Sequence, residues 1–209
     1  MDQTDARVAA VREIGPDSIA LDIETPDGFD ARPGQFVKLA GGGESRFYTI
    51  SSPDVDGTFE VTIEVDPEGT LGPWLAERRP GETVEITGPF GNSYYEGEPR
   101  VVVLAGGPGV GPAVGIAERA LADGGRAAVV YLDEAPVHED RLAGLSAAGA
   151  DVFVLAEAAA VTDAVREAIT GEDGEQVFVY GFADFLDLAT TAIDEAGGDS
   201  EGAKVENFG

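Results

Sequence analysis

The run Val101-Val-Val-Leu104, followed at once by Ala105-Gly-Gly-Pro-Gly-Val-Gly-Pro112, decides the fold. Three β-branched residues and a leucine in succession have the character of a strand buried on both faces of a parallel sheet. Four glycines (106, 107, 109 and 111) then stand where such a strand should end, and from Pro112 the pattern Ala113-Val-Gly-Ile-Ala-Glu-Arg-Ala-Leu121 is helical. In an open parallel sheet, ligands sit at the carboxyl ends of the strands. Glycine lets the backbone turn sharply and approach a bulky anion, and the next helix offers unpaired N–H groups at the positive end of its dipole. Pro112 suits a first helical turn, where its missing N–H is not needed. The arrangement suits a pyrophosphate; a tight strand–helix turn with no ligand explains the glycines equally well.

Working outward, residues 101–104, 127–132, 151–155 and 176–180 read as strands, alternating with helices at 112–122, 138–147, 161–169 and 183–196. That is a βαβ series and predicts a parallel sheet. The period changes near Tyr95-Glu-Gly-Glu-Pro-Arg100. Upstream, six short runs, Val8–Arg12, Ser18–Ile23, Gln35–Leu39, Phe47–Ile50, Phe59–Val65 and Thr83–Thr87, are separated by turn residues such as Pro26-Asp-Gly28, Pro33-Gly34 and Asp56-Gly57. They predict a small antiparallel β-barrel, with one short helix, Trp74–Arg79, between Pro73 and Pro80. The expected class is β plus α/β: a barrel domain over residues 1–98 and a parallel α/β domain over 99–209.

Composition removes several function classes. The chain of 209 residues has no cysteine, so disulfides, cysteine-ligated zinc, iron–sulfur clusters and thiol nucleophiles are excluded, and no metal site is expected. The one histidine, His138, is followed by Glu139, Asp140 and Arg141 and reads as solvent-exposed. No apolar run approaches the ~20 residues of a membrane helix. The N-terminus, Met1-Asp-Gln-Thr-Asp5, is acidic and has no signal-peptide character. A soluble, cytoplasmic protein without membrane insertion is expected. With 40 acidic against 13 basic residues, the formal net charge is −27, which disfavours nucleic acid and anionic lipid as partners. Only Lys38 and Lys204 are lysines. Acid-rich, lysine-poor surfaces suit concentrated salt, where repulsion is screened; an acidic mesophilic protein is the alternative.

The glycine stretch fits G-G-x-G-x-x-P as Gly106-Gly107-Pro108-Gly109-Val110-Gly111-Pro112. Upstream stand Pro33-Gly-Gln-Phe36, then Arg46-Phe47-Tyr48-Thr49 with Ile50-Ser-Ser-Pro53, then Gly69-Thr-Leu-Gly-Pro-Trp-Leu75 and Gly88-Pro-Phe-Gly91. Downstream stand Val161-Thr-Asp-Ala-Val-Arg166 and Glu206-Asn-Phe-Gly209. In this order and spacing, over nearly the whole chain, the motifs resemble the ferredoxin–NAD(P) reductase family.

The resemblance implies that the barrel binds a flavin, FAD rather than FMN, and that the α/β domain binds NADH in preference to NADPH. Arg46 would pair with the flavin phosphate. Phe47 lies beside it, and Tyr48 would face the isoalloxazine ring while Thr49 meets its N5, making Tyr48 and Thr49 the catalytic candidates. Strand alternation puts Arg46 and Tyr48 on one face. Taken alone, Arg46 suits a surface ion pair with Glu44, Tyr48 suits barrel core, and Thr49 suits strand propensity. Gly69, Thr70, Leu71 and Gly72 correspond to the loop that holds the flavin phosphate, although Gly72 falls where the family has Ser or Thr. Gly106, Gly107, Gly109, Val110, Gly111 and Pro112 would cradle the dinucleotide, with Asp133 and Glu134 at its ribose. Gly181 and Phe182 stand where the family often has Cys-Gly-Pro along the nicotinamide channel, and Phe208 would cover the flavin ring. The implied activity is hydride transfer from NADH to FAD, then electron transfer to a separate acceptor such as ferredoxin. Two alternatives remain: a flavin electron-transfer subunit of a larger dehydrogenase complex, and a flavin- or nucleotide-binding module without turnover.

Overall fold

A computed structural model describes residues 3–209; Met1 and Asp2, the first residues of the acidic N-terminus and of the 1–98 segment, lie outside the described residues. The N-terminal sheet is antiparallel and has six strands: β1 (Thr4–Gly15), β2 (Ser18–Glu24), β3 (Phe36–Gly41), β4 (Glu44–Thr49), β5 (Thr58–Glu64) and β6 (Thr83–Phe90). Its strand order is β4-β3-β6-β1-β2-β5, curled so that a single antiparallel bridge, Ile50 to Val61, joins the two terminal strands. Alternating residues fill the interior: Leu21 and Ile23 from β2, Val37 and Leu39 from β3, Phe59, Val61 and Ile63 from β5, and Ile86 from β6 are all buried. Helix α1 (Leu71–Ala76) closes this core with Leu71 and Leu75, both fully buried. The helix starts three residues before the predicted Trp74. Pro73 stands in its first turn, where a missing N–H leaves no hydrogen bond unmade.

The second sheet is parallel, with order β11-β10-β7-β8-β9. Its strands are β7 (Arg100–Gly106), β8 (Arg126–Leu132), β9 (Asp151–Leu155), β10 (Glu175–Gly181) and β11 (Lys204–Asn207). One face is covered by α2 (Val110–Ala122) and α3 (Glu139–Ala147), the other by α4 (Val161–Ala168) and α5 (Ala183–Glu195). The chain runs from β7 outward through β8 and β9, then returns to β10 on the other side of β7. The strand order therefore reverses at β7 and β10, and a crevice is expected off their carboxyl ends. The loops that open there are Gly107–Gly109, a single 3-10 turn, and Phe182.

The two sheets meet along β5. Its alternation is not the one-sided pattern of an exposed barrel strand, since every residue from Phe59 to Ile63 is buried. Phe59, Val61 and Ile63 point into the barrel, while Glu60 and Thr62 face the second domain, where Arg141 and His138 receive them.

Candidate functional site

Strand β4 carries Arg46, Phe47, Tyr48 and Thr49 to one wall of a cleft of about 150 Å³ between the sheets. Thr62 and Glu64 of β5 continue that wall, and Pro108, Pro112, Phe182 and Phe208 close it from the other domain. Residues far apart in the chain and named together by the motifs thus converge. Thr49 is buried and Tyr48 half-buried against the barrel core, and burial raises the Tyr48 phenol above its ordinary pKa, so its hydroxyl stays protonated. Arg46 is exposed and makes no ion pair among the described residues, so the surface pair with Glu44 is not formed. Phe47 reaches the rim of the cleft, but its ring packs edge-on against Phe36 at 5.4 Å and Phe90 at 6.0 Å and is 60% exposed.

Phe208 is positioned by the main chain: its N–H donates to the Gly181 carbonyl at 3.0 Å, just past the β10–β11 ladder. Its ring meets Phe182 at right angles, 6.0 Å between centroids, and tilts over Tyr180 at 6.5 Å. Tyr180 is fully buried and donates its hydroxyl proton to the Ser93 carbonyl. The Tyr180-Gly181-Phe182 stretch therefore has a structural anchor at its first residue and an exposed ring at its third.

A second cleft, about 290 Å³, is lined by Pro16–Ser18, Glu64, Gly107, Pro108, Asp133, Ala135, Val137 and Phe182. Gly107 has φ +55°, and a Cβ there would meet no atom within 4 Å, so its face is open to a ligand. The other glycines of the loop serve the protein itself. A Cβ on Gly106 would strike the Phe185 ring, one on Gly109 the Tyr180 carbonyl, and one on Gly111 the hydroxyls of Ser51 and Thr62. Asp133 accepts hydrogen bonds from the Tyr131 hydroxyl at 3.1 Å and the Ala135 N–H at 2.8 Å, which fixes it at the cleft wall. Glu134 is exposed and outside that lining. Gly69, Thr70 and Gly72 form the turn into α1 and Leu71 is core; none of them lines either cleft. A larger opening, about 440 Å³, lies by Asp30–Pro33, Pro53–Asp56 and Tyr95–Gly97 and contains none of the predicted site residues.

The exposed reading of His138 is wrong. It is buried, with its Nε2 2.8 Å from the Thr62 hydroxyl, and burial together with Arg141 and Arg12 pushes its pKa down to about 3. The imidazole is neutral at ordinary pH. Beside it, Arg141 donates to Glu60 at 2.8 Å, to both oxygens of Glu118 and to the Ser51 carbonyl at 2.7 Å. Sequence reasoning also missed Thr62, Glu64 and Pro108. The signal for Thr62 is a hydroxyl within the apolar run of β5, on the face opposite the barrel core.

This two-sheet architecture, with its cleft at the seam, is the fold of ferredoxin reductase-type FAD/NAD-binding oxidoreductases. Residues 5–95 match the oxidoreductase FAD-binding domain family. The fold is shared with the cytochrome P450 reductase GcoB of Amycolatopsis, at TM-score 0.82 and 24% identity over 99% of this chain and 70% of that one. It is shared also with a ferredoxin NADP+ reductase from Neisseria gonorrhoeae with bound FAD and NADP, at TM-score 0.79 and 16% identity over the whole of both chains. In sequence the chain is 34% identical over 117 residues to a probable dihydroorotate dehydrogenase B (NAD(+)) electron transfer subunit of Methanopyrus kandleri, covering 54% of this chain and 43% of that protein. The matched segments span only 38–43% of the curated relatives that match first.

Proposed function

We propose that this chain is an NADH-dependent flavoprotein reductase that holds FAD in its barrel half, residues 1–98, and NADH in its α/β half, residues 99–209. Electrons would pass to a separate acceptor, ferredoxin or a protein of that kind, in the cytoplasm. No helix among the described residues is long and apolar enough to cross a membrane. The observation that carries the proposal is that the two clefts share Glu64, Pro108 and Phe182 as a common wall. A planar ring in the first and a dinucleotide in the second would be neighbours, and hydride transfer depends on such alignment more than on an acid or base.

The residues present fit the cofactor. Tyr48, Phe182 and Phe208 offer aromatic faces to a flat ring, Thr49 offers a hydroxyl at its edge, and the unpaired Arg46 offers charge to an anionic tail. Bound FAD would supply a two-electron acceptor able to release electrons singly. The chain's residues orient it, exclude water with Phe182 and Phe208, and keep Tyr48 protonated. Gly107 leaves room for the backbone approach that a nucleotide phosphate requires, while Gly109 and Gly111 act by close packing. A flavin subunit of a larger complex is the second reading. The Phe36–Phe47–Phe90 cluster, in which Phe47 and Phe90 are exposed and Lys38 is paired across the strands to Phe47, supports a protein surface seated beside the first cleft.

The purified protein is expected to carry a flavin absorption band that bleaches on anaerobic addition of NADH. Arg46→Ala should weaken FAD binding about tenfold or more, since a charge-assisted pair contributes about 1.5–3 kcal/mol. A colourless protein that takes up no FAD would overturn the proposal; unchanged FAD affinity in the variant would remove Arg46 from the site.

A further inference from the structure

His138 is the only histidine in the chain, and among the described residues it is the only non-glycine residue with positive φ, at 57°. For a residue with a Cβ this conformation is strained, and it persists where surrounding structure holds it. Here the hold is a chain of three buried side chains: His138 Nε2 lies 2.8 Å from Thr62 Oγ1, which lies 2.8 Å from Ser51 Oγ. Both links join neutral groups, so each can reverse its donor and acceptor without moving charge.

Both clefts lead to this chain. On the N-terminal side of His138, Asp133, Ala135 and Val137 line the nucleotide cleft, and Asp133 is tied into the loop by Tyr131 and Ala135. On the far side of the hydrogen bond, Thr62 is part of the wall of the flavin cleft together with Tyr48 and Thr49. Gly111, in the first turn of α2, rests directly on the Ser51 and Thr62 hydroxyls. The frame around this junction is rigid: Arg141, three residues after His138 on α3, is clamped to Glu60, Glu118 and the Ser51 carbonyl. With α3 and β5 locked, what is left to adjust is the loop 133–138 and the hydroxyl it holds.

We propose that His138 is a positioning residue that couples the two clefts, so that a nucleotide seated against residues 133–137 alters, through the His138–Thr62 hydrogen bond, the wall that faces the flavin. This deepens the reading of the clefts as flavin and nucleotide sites and rests on it. His138 itself lines neither cleft, so its effect must travel through Thr62.

The test uses the full chain loaded with FAD and titrated with ADP-ribose, which carries no nicotinamide and cannot stack on the flavin itself. In the wild type, ADP-ribose should give a saturable flavin difference spectrum. His138→Gly, which removes the ring and accepts the positive φ, should lower that response about fivefold or more, with the affinities for FAD and ADP-ribose kept within about twofold. His138→Gln, whose amide nitrogen reaches the position of Nε2, should restore most of it. Thr62→Val removes the hydroxyl from the barrel side, and the double variant should respond no less than either single one. A full response in His138→Gly, additive losses in the double variant, or saturable ADP-ribose binding without any response in the wild type would overturn the coupling while leaving the cleft assignments intact. A wild type that binds no FAD or no ADP-ribose would instead remove those assignments, and the coupling with them.

Discussion

Arg46 and Asp133 show how differently a charged side chain behaves when it is held and when it is free. Asp133 is fixed by two donors, so it serves the geometry of its loop before any ligand arrives. Its neighbour Glu134 is exposed and has no such duty. With the ribose of a bound dinucleotide seated beside Asp133, as proposed, a carboxylate at Glu134 would accept hydrogen bonds from its hydroxyls and repel a 2′-phosphate, at a cost that reaches several kcal/mol for like charges at a binding surface. We expect a higher kcat/KM for NADH than for NADPH, and Glu134→Arg should narrow or reverse the ratio; equal use of both dinucleotides by the wild type would place the ribose elsewhere. His138 makes a prediction about acid. Its folded pKa of about 3 lies below the ordinary 6.5, so as pH falls through that window the unfolded chain takes up a proton that the folded chain refuses. Stability is therefore lost on acidification, by up to about 1.4 kcal/mol per pH unit. Burial pushes the Glu60 carboxyl upward, which works in the opposite sense, so the comparison is with His138→Gln, which retains Glu60. Denaturant unfolding between about pH 7 and about pH 4 should show a shallower loss in the variant; parallel curves would mean that His138 is not held neutral.

At the scale of elements, the glycine loop was legible in the sequence as a strand–loop–helix unit, but not in the division of labour among its glycines. Periodicity shows where a backbone must turn; it cannot show what stands opposite. Gly111 lies against hydroxyls contributed by Ser51 and Thr62, residues of the other domain. Gly111→Ala should therefore separate the halves locally and destabilise by about 1–3 kcal/mol, the usual effect of overpacking, seen as a lower melting temperature. Gly107→Ala meets no atom and should cost only its positive φ, about 1 kcal/mol; if the two variants melt alike, the packing account of Gly111 fails. The same limit explains the other differences. All six barrel strands were legible because apolar alternation and turn residues are local signals. The start of α1 was misjudged because a proline can stand anywhere in a first turn. Strand β11 was not anticipated, since Lys204-Val-Glu-Asn207 has no strand pattern and is strand only by its register against Phe178–Gly181. His138 looked exposed because its sequence neighbours are charged, whereas the partner that buries it, Thr62, is 76 residues away.

Across the whole molecule, charge is the dominant feature. Eight of the 13 basic residues are already in ion pairs with carboxylates, which leaves most of the 40 acidic residues without a cation. The repulsion is therefore spread over the surface rather than cancelled locally. Between about 0.1 M and about 1 M salt the Debye length falls from about 10 Å to about 3 Å, and that repulsion is screened. We expect the melting temperature to rise over this range of potassium chloride, by about 2–4 °C for each kcal/mol relieved; a flat profile would defeat adaptation to high salt. The barrel carries a quieter consequence. Its strand order ends at β4 and β5, and these two ends are tied only past β4, by the Ile50–Val61 bridge and the hydrogen bonds of Ser51 and Ser52 to Glu60 and Thr62, while no ladder joins β4 itself to β5. The barrel is a zipper with its last teeth unmeshed, and Arg46, Tyr48 and Thr49 line that gap. Whatever lodges there spans the two sides of the opening and acts as the slider. A ligand in this cleft would fasten the barrel as it binds, and without one the seam between β4 and β5 is where the sheet has fewest ladder bonds to lose.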